Sequence, residues 1–174
     1  RRRSTLREMR AALVLTTIAD PALLDLYASN FEEYGHLDRV TVFVIPDRKT
    51  PPDAAVRCDS LRARGLRVSC PTLDEQETFL AKLGLPPSFV PYNSDNRRNV
   101  GYLMALESGA DMVISIDDDN LCRNGEDFLS EHAVVCAPDT GQTIVDSSTG
   151  YLNACSLLHF DETAPIYPRG FPYS

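Results

Sequence analysis

Three consecutive aspartates, Asp117, Asp118 and Asp119, directly follow the short apolar run "MVISI". Adjacent carboxylates repel one another, and a bound cation is the simplest way to offset that repulsion. Mg²⁺ and Mn²⁺ prefer oxygen ligands and commonly combine one or two carboxylates with the phosphates of a substrate. At the end of a strand alternate side chains point the same way, so Asp117 and Asp119 can face one ligand while Asp118 turns aside. The pattern predicts a divalent-metal site with Asp117 and Asp119 as ligands.

A second interpretation of the triplet needs no ligand. Aspartate and asparagine are common in solvated turns, and Asn120 could cap the segment that follows. The position of the triplet favours the metal site, because it comes directly after a run that predicts a buried strand and shortly after a pair of arginines.

Those two arginines, Arg97 and Arg98, fall in the first turn of a predicted helix. Cations at the start of a helix oppose the helix dipole, whereas anions are favoured there. The pair is explained by an anion that docks on backbone N–H groups and guanidinium groups together, which predicts that at least one of Arg97 and Arg98 binds phosphate. The alternative is a salt bridge to Asp95 or Glu107.

Weaker candidates stand at the ends of two other predicted strands. Thr16 and Thr17 end the first strand and could contact a base, and Asp47 ends the second and could accept a hydrogen bond from a ribose or base. Simple loop chemistry explains the threonines slightly better than a ligand does, and it explains Asp47 equally well. The histidines show no metal or triad spacing, and no P-loop, GxGxxG or GxSxG sequence occurs.

The elements that must position these residues alternate along the chain. Apolar and β-branched runs predict strands, and helical spacing with glycine stops predicts helices. Strands are expected at 11–20, 38–47, 66–72 and 111–116, with a further short strand at 132–138, and helices at 21–35, 54–64, 73–84 and 96–109. This alternation predicts an α/β fold with an open, mainly parallel sheet flanked by helices. Such sheets bind ligands beyond the carboxyl ends of their strands, where the loops after the strands and the aspartate triplet are expected to converge.

The overall composition excludes some classes of function. The 174 residues carry a net charge of −8, which argues against a general nucleic-acid binder. No apolar run approaches the roughly 20 residues of a membrane span. The five cysteines show no zinc spacing and are odd in number, which favours free thiols in a reducing compartment and hence a cytoplasmic protein. The length predicts a single domain, residues 1–174.

Two segments of the chain resemble a known family. The stretches "NRRNVGYLMALESGADMVISIDDDN" and "IYPRGFPYS" are similar to the reversibly glycosylated polypeptide family, the UDP-arabinopyranose mutases, within the GT-A fold of nucleotide-sugar glycosyltransferases. That family has a similar Gly-Tyr helix, a strand that ends in three aspartates, and an Arg-Gly segment with aromatic residues downstream. The resemblance implies a Rossmann-like GT-A sheet. Residues from about 11 to 120 would bind the nucleotide sugar, and those from about 121 to 174 would begin the acceptor side.

The resemblance also implies roles for single residues. Asp117 and Asp119 match aspartates that bind the metal and the nucleotide sugar, with Asp118 between them. Asp47 matches an aspartate at the end of the second strand. Arg169 matches the arginine that becomes glycosylated in the family, and it could instead contact the diphosphate or the sugar.

The chain departs from the family in three places. Asn120 stands where the plant proteins typically carry cysteine, and the segment from about residue 50 to 94 is longer and includes an extra helix. The family also continues through an acceptor-side region beyond the position of Ser174, so the sequence is expected to be incomplete at that end. These departures bear on mutase activity more than on the fold.

The leading expectation is a metal-dependent GT-A glycosyltransferase that uses a nucleoside-diphosphate sugar, in particular a UDP-sugar. Mn²⁺ or Mg²⁺ is the expected cofactor, and Asp119 and Arg169 are the expected catalytic residues. The residues expected to bind the nucleotide sugar are Thr16, Thr17, Asp47, Arg97, Arg98, Asp117 and Asp118. One alternative is a UDP-sugar mutase that interconverts pyranose and furanose forms, and another is a non-catalytic partner subunit of the same fold. The acceptor is not identified by the sequence, and a homo-oligomer stays open.

Overall fold

The structure, a computed structural model, describes residues 9–136, 150, 152–159 and 166–167. These residues fall into two compact units, with the division between positions 137 and 138. The second unit contributes a short 3-10 turn, Ala154–Leu157. Arg169 lies outside the described residues. The expectation of a single domain, and the role expected for Arg169, therefore stay predictions.

Four parallel strands form the sheet of the first unit. They are β1 (Ala11–Thr17), β2 (Val40–Pro46), β3 (Arg67–Ser69) and β4 (Met112–Ile116). Their order across the sheet is β3-β2-β1-β4, so β1 lies between β2 and β4. Leu15 of β1 pairs with Val44 on one side and with Ile116 on the other, and the carboxyl ends of these three strands are therefore level. The predicted α/β fold with an open parallel sheet is confirmed.

Five helices accompany the strands in the described part of the chain. They are α1 (Leu24–Glu33), α2 (Asp53–Ala63), α3 (Leu73–Lys82), α4 (Arg98–Glu107) and α5 (Phe128–Ala133). The first four coincide with predicted helices. Within the described residues, no helix has both the length and the apolar character needed to span a membrane.

The strand expected at 132–138 is wrong for the residues that the structure describes there. Residues up to Ala133 belong to α5, and Val134–Cys136 form a 3-10 turn. The helix begins at Asp127, whose carboxylate accepts hydrogen bonds from the backbone N–H of Ser130 at 3.1 Å and from its hydroxyl at 2.6 Å. A short apolar run does not distinguish strand from helix by itself, and here the aspartate cap favours the helix.

Side chains that alternate along β1 place one hydrophobic core on each face of the sheet. Leu13 and Leu15 pack with residues of α1, α2 and α5 on one face. Ala12 and Val14 pack with residues of α3 and α4 on the other face. The sheet is therefore the middle of three layers, and its polar groups are left to the strand ends.

Helix α4 approaches the sheet closely at Gly101. A Cβ atom at this position would lie 2.6 Å from Cγ1 of Val14 and 2.9 Å from Cγ1 of Ile45, both of which are too short for carbon atoms in contact. Glycine therefore allows the helix backbone to rest on β1 and β2. Because Arg98 lies one turn before Gly101 on the same side of α4, this contact also sets the distance of Arg98 from the strand ends.

Candidate functional site

A pocket of about 460 Å³ lies at the carboxyl ends of β1, β2 and β4. Residues that follow these strands line it, together with the segment that leads into α4. Among the predicted site residues, those that line the pocket are Thr16, Thr17, Asp47, Arg98, Asp117, Asp118 and Asp119. Side chains more than a hundred positions apart in the sequence therefore meet at one edge of the sheet, where open α/β sheets bind ligands.

The lining of the pocket is unbalanced in charge. Five carboxylates, those of Asp47, Asp95 and the triplet, face two cations, Lys49 and Arg98. Three negative charges are thus left over within a small space. An anionic ligand would be repelled by this surplus unless it enters together with a cation.

Asn120 holds the aspartate triplet in a tight turn. Its side-chain Oδ1 accepts a hydrogen bond from the backbone N–H of Asp117 at 2.9 Å, and its Nδ2 donates to Oδ1 of Asp119 at 3.2 Å. Its own backbone N–H donates to the carbonyl of Asp117 at 3.2 Å. Sequence reasoning treated Asn120 as a cap for the following segment and missed this role. An asparagine three residues after a strand-ending aspartate is the signal that could have indicated such a turn.

The same turn is tied to the core by Tyr27 of α1. The Tyr27 hydroxyl donates a hydrogen bond to the backbone carbonyl of Asn120 at 2.9 Å. Burial raises the pKa of Tyr27 to about 12, so the hydroxyl keeps its proton and remains a donor at neutral pH. Its ring meets that of Phe128 edge to face, with 4.9 Å between the ring centroids. The triplet is therefore carried by a turn that is fastened to buried aromatic side chains.

Arg98 reaches from α4 to the first aspartate of the triplet. Its Nη2 donates to Oδ1 of Asp117 at 2.5 Å, and its Nε donates to the backbone carbonyl of Asp95 at 3.2 Å. Nη1 donates to the hydroxyl of Ser115 at 3.4 Å. Ser115 and Asp117 are two residues apart and lie on the side of β4 that faces α4. About a quarter of the Arg98 side chain remains exposed, in the pocket.

Arg97 has a different position from the one expected. Its side chain is fully buried and does not line the pocket. Nε donates to Oε1 of Gln76 at 2.8 Å, Nη1 donates to the carbonyl of Val90 at 2.8 Å, and the guanidinium lies 4.0 Å from the ring centroid of Tyr92. The expectation that Arg97 binds phosphate is corrected accordingly, because consecutive helical residues point about 100° apart and cannot both face one site. Arg97 instead connects Gln76 and Val90 in the interior, where its Nη2 is buried without a hydrogen-bond partner among the described residues.

The hydroxyls of the two threonines at the end of β1 differ in their capacity to accept a hydrogen bond from a ligand. The Thr17 hydroxyl donates to the carbonyl of Ala19 at 3.1 Å and accepts from the N–H of Ala19 at 3.0 Å. Thr17 is also almost completely buried. The Thr16 hydroxyl donates to the carbonyl of Ile45 at 3.0 Å and keeps its lone pairs. Thr16 is therefore the better placed of the two to accept a hydrogen bond from a ligand.

Asp47 connects two loops of the pocket. Its Oδ1 accepts from the N–H of Arg48 at 2.6 Å, and its Oδ2 accepts from the N–H of Ser94 at 3.4 Å. Thr50 holds the same loop, because its hydroxyl accepts from the N–H of Asp47 at 2.8 Å and donates to the carbonyl of Thr17 at 2.5 Å. Each carboxylate oxygen can accept more than one hydrogen bond, so Asp47 can position the loops and still meet a ligand hydroxyl.

Two further pocket residues escaped the sequence reasoning. Lys49 is exposed, lines the pocket and has no hydrogen bond or ion pair with the described residues. Asn93 adopts a φ of 52°, a left-handed conformation that asparagine tolerates better than most residues do. A lysine two positions after a strand-ending aspartate is a weak signal, since loops are rich in lysine. Only its place in the same pocket as the triplet makes Lys49 a candidate anion-binding residue.

The carboxylates of the pocket are suited to a divalent cation that prefers oxygen ligands. Across the part of the chain that the structure describes, no group of three or more His, Cys, Asp or Glu side chains is arranged to hold a metal by itself. Mg²⁺ and Mn²⁺ do not need such a group, because they are commonly bound by one or two carboxylates and complete their shell with water and substrate phosphates. Exposed carboxylate oxygens at the rim of an open pocket are suited to that arrangement.

No protein-family model matches this chain, and no curated protein matches it significantly. The parallel α/β fold and the pocket at its strand ends are therefore the structural basis on which a function is proposed.

Proposed function

We propose that this chain is a metal-dependent glycosyltransferase of the GT-A type whose donor is a nucleoside-diphosphate sugar. The observation that carries the proposal is the pocket in which the aspartate triplet meets Arg98 and Lys49 at the carboxyl ends of parallel strands. The preference for a UDP-sugar comes from the resemblance of the α4–β4 segment to the reversibly glycosylated polypeptide family. The finer assignment to the GT-A fold has the same origin.

The charge of the pocket supports a metal-bound diphosphate over a free one. A diphosphate is an anion, and the pocket already holds five carboxylates against two cations. A divalent cation held by Asp117 and Asp119 would reverse this local repulsion and would offset the negative charge that develops on the leaving diphosphate. Asp118 has no hydrogen-bond partner among the described residues, and its role is the least constrained of the three.

The remaining pocket residues divide between the two ends of the ligand. Lys49 and Arg98 would donate hydrogen bonds to phosphate oxygens. Thr16 in β1 and Asp47 directly after β2 would accept hydrogen bonds from the nucleoside. This division follows from charge, since cations suit the diphosphate and neutral or anionic acceptors suit ribose hydroxyls and base N–H groups.

The reaction replaces one bond at the anomeric carbon of the sugar with another. The bond between that carbon and the diphosphate oxygen breaks, and the nucleoside diphosphate leaves with the electron pair. A bond forms from the anomeric carbon to an acceptor oxygen, which loses its proton. Stabilising the leaving group is the part of this chemistry assigned to the pocket. The catalytic role of Arg169 remains an expectation from sequence.

A thermal-shift panel with matched variants tests the proposal. Wild-type protein is incubated with UDP, GDP or their sugars, each with and without Mn²⁺, and stabilisation is expected only when nucleotide and metal are both present. Asp119→Asn, which keeps the shape of the side chain and removes its charge, is expected to abolish the shift. Asp118→Asn is the matched control and is expected to retain most of it. If no nucleoside diphosphate stabilises the wild type in the presence of Mn²⁺, the proposal fails.

Product analysis separates the alternatives once binding is established. A UDP-sugar is incubated with metal but without acceptor. Slow hydrolysis to UDP and free sugar supports a transferase, whereas a ring-contracted UDP-sugar supports a mutase. Turnover that disappears in Asp119→Asn would count against a non-catalytic partner subunit.

A further inference from the structure

Cys58 and Cys70 are brought together by the packing of α2 on β3. The side-chain Nε of Arg62 in α2 donates to the carbonyl of Val68 in β3 at 3.0 Å, which sets these two residues side by side. The chain reverses direction at Gly65 between helix and strand. Cys58 lies one helical turn before Arg62, and Cys70 lies two strand residues after Val68. Both steps span about 6 Å in the same direction, so the two cysteines are opposite one another.

The side chains of the two cysteines point to the same core. Val68 and Cys70, which alternate to one face of the strand, both pack against the hydrophobic cluster that contains Cys58. Cys58 is fully buried, Cys70 is half-buried, and both are free thiols. Each thiol perturbs the pKa of the other, so the two sulfur atoms lie close together.

The two thiols differ in acidity. Interaction with the Cys58 thiol and with the nearby Arg62 guanidinium lowers the pKa of Cys70. The same interaction between the thiols, together with burial, raises the pKa of Cys58 well above its usual range. Cys70 is thus the more acidic thiol of the pair and becomes the nucleophile when it loses its proton, whereas Cys58 keeps its proton more tightly.

Cys70 is also the member of the pair that a reagent can reach. It lines a second pocket, of about 570 Å³, whose walls include Arg62, Lys82 and Glu75. Two cations against one carboxylate favour a small anionic molecule. None of the residues that line this pocket lines the pocket at the aspartate triplet, so the two are separate sites.

We propose that Cys58 and Cys70 form a dithiol site that is reversibly converted to a disulfide by exchange with a small anionic disulfide of the oxidised-glutathione class. The Cys70 thiolate attacks one sulfur of that disulfide, whose sulfur–sulfur bond breaks and releases one glutathione. Cys58 then gives up its proton and attacks the sulfur of Cys70, which forms the Cys58–Cys70 bond and releases the second glutathione. Two cysteine thiols are oxidised, and one disulfide is reduced to two thiols.

Oxidation of the full chain with graded concentrations of oxidised glutathione tests the site. Acid quenching, alkylation and tryptic mapping then identify which thiols have reacted. Trypsin separates the pair, since Cys58 falls in the peptide 58–62 and Cys70 in the peptide 68–82. The expected product is a single species in which these two peptides are joined, with two of the five thiols lost and regained on treatment with reduced glutathione.

Two variants assign the order of attack. Cys58→Ala is expected to accumulate glutathione on Cys70, because no second thiol displaces it. Cys70→Ser is expected to leave Cys58 unmodified, and this change at a half-buried position serves as the decisive variant if Cys58→Ala fails to fold. The proposal is overturned if Cys58 and Cys70 both stay reduced in the wild type under conditions that modify the exposed Cys136. Stable glutathione on wild-type Cys70, or pairing of either residue with another cysteine, would overturn it as well.

Discussion

Arg97 and Arg98 are neighbours in the sequence, yet one guanidinium lies in the protein interior and the other lies in an open pocket. Arg98 lies in an open pocket, where it donates to Asp117 and remains partly exposed. Arg97 is fully buried beneath the loop that leads into α4. The rotation of the helix by about 100° per residue is enough to separate a candidate ligand-binding side chain from a structural one.

The region around Arg97 is a buried polar network. Gln76, itself fully buried, donates from Nε2 to the carbonyls of Pro46 at 2.9 Å and of Pro71 at 3.1 Å, and it accepts from Arg97. The ring of Tyr92 lies between the guanidinium groups of Arg97 and Arg48, at 4.0 and 4.1 Å. Arg97 thereby joins the ends of β2 and β3 to the loop before α4. The network holds in place the loop whose next residues line the pocket.

The largest effect is expected from removing the buried arginine. Arg97→Ala would leave the acceptors of Gln76 and Val90 without their donor and would open a cavity, at a cost of about 3 kcal/mol or more in the free energy of unfolding. Urea unfolding followed by circular dichroism measures this loss. Arg97→Lys should recover only part of it, because a single ammonium group cannot reproduce the planar contact with Tyr92 and both hydrogen bonds. If Arg97→Ala lowers the free energy of unfolding no more than Arg98→Ala does, the contrast between a structural and a pocket arginine is contradicted.

The next effect concerns the contact that places α4 on the sheet. Gly101→Ala would put a methyl group 2.6 Å from Val14 Cγ1, and overpacking of this kind costs about 1–3 kcal/mol. Alanine favours the helix over glycine by up to about 1 kcal/mol. The expected net loss in the free energy of unfolding is therefore about 1–2 kcal/mol. Asn99→Ala, at an exposed position of the same helix, is the matched control and should be neutral or stabilising. Equal stability of the two variants would mean that α4 moves away from the sheet without cost.

A smaller effect is expected at the turn that carries the triplet. Asn120→Ala removes the side-chain hydrogen bonds to Asp117 and Asp119, which lie at the surface, and should cost about 1 kcal/mol of stability. Its effect on metal binding should be larger than that of Asp118→Ala, since Asn120 positions two of the three carboxylates. Titration with Mn²⁺ in the presence of UDP, followed by calorimetry, compares the two. Identical metal affinities would show that the turn keeps its shape without the asparagine.

The smallest effect on stability is expected at Arg98. An ion pair that is partly exposed at the surface contributes at most about 1 kcal/mol, so Arg98→Ala should unfold almost as the wild type does. The same variant is expected to bind UDP with metal on the order of tenfold more weakly, because a charge-assisted hydrogen bond to phosphate is lost. Calorimetric titration of folded protein measures this change. If the affinity is unchanged, Arg98 does not contact the phosphate, and Lys49 remains as the candidate for that contact.

Local patterns in the sequence were sufficient for most of the fold. The period-2 and period-3.6 spacing of apolar residues, with glycine at helix ends, indicated four strands and four helices that the structure confirms. The alternation of these elements was enough to predict a parallel sheet and the meeting of the aspartates with Thr16 and Asp47 at one edge. The run "HAVVCAP" was assigned to a strand, and its described residues are helical, because a short run of apolar or weakly polar residues fits either period.

What the sequence determined by itself is the four strands and the first four helices, the parallel arrangement of the sheet and the placement of three aspartates at a strand end, because these depend on residues close together in the chain. Only the tertiary structure decided the strand order β3-β2-β1-β4, the burial of Arg97 beside a partly exposed Arg98, the hydrogen bonds of Asn120 and the place of Lys49 in the pocket. Each of these depends on contacts between residues distant in sequence. Such contacts are set by the packing of helices on the sheet, and no local pattern encodes which side of a helix start will face the core and which the pocket.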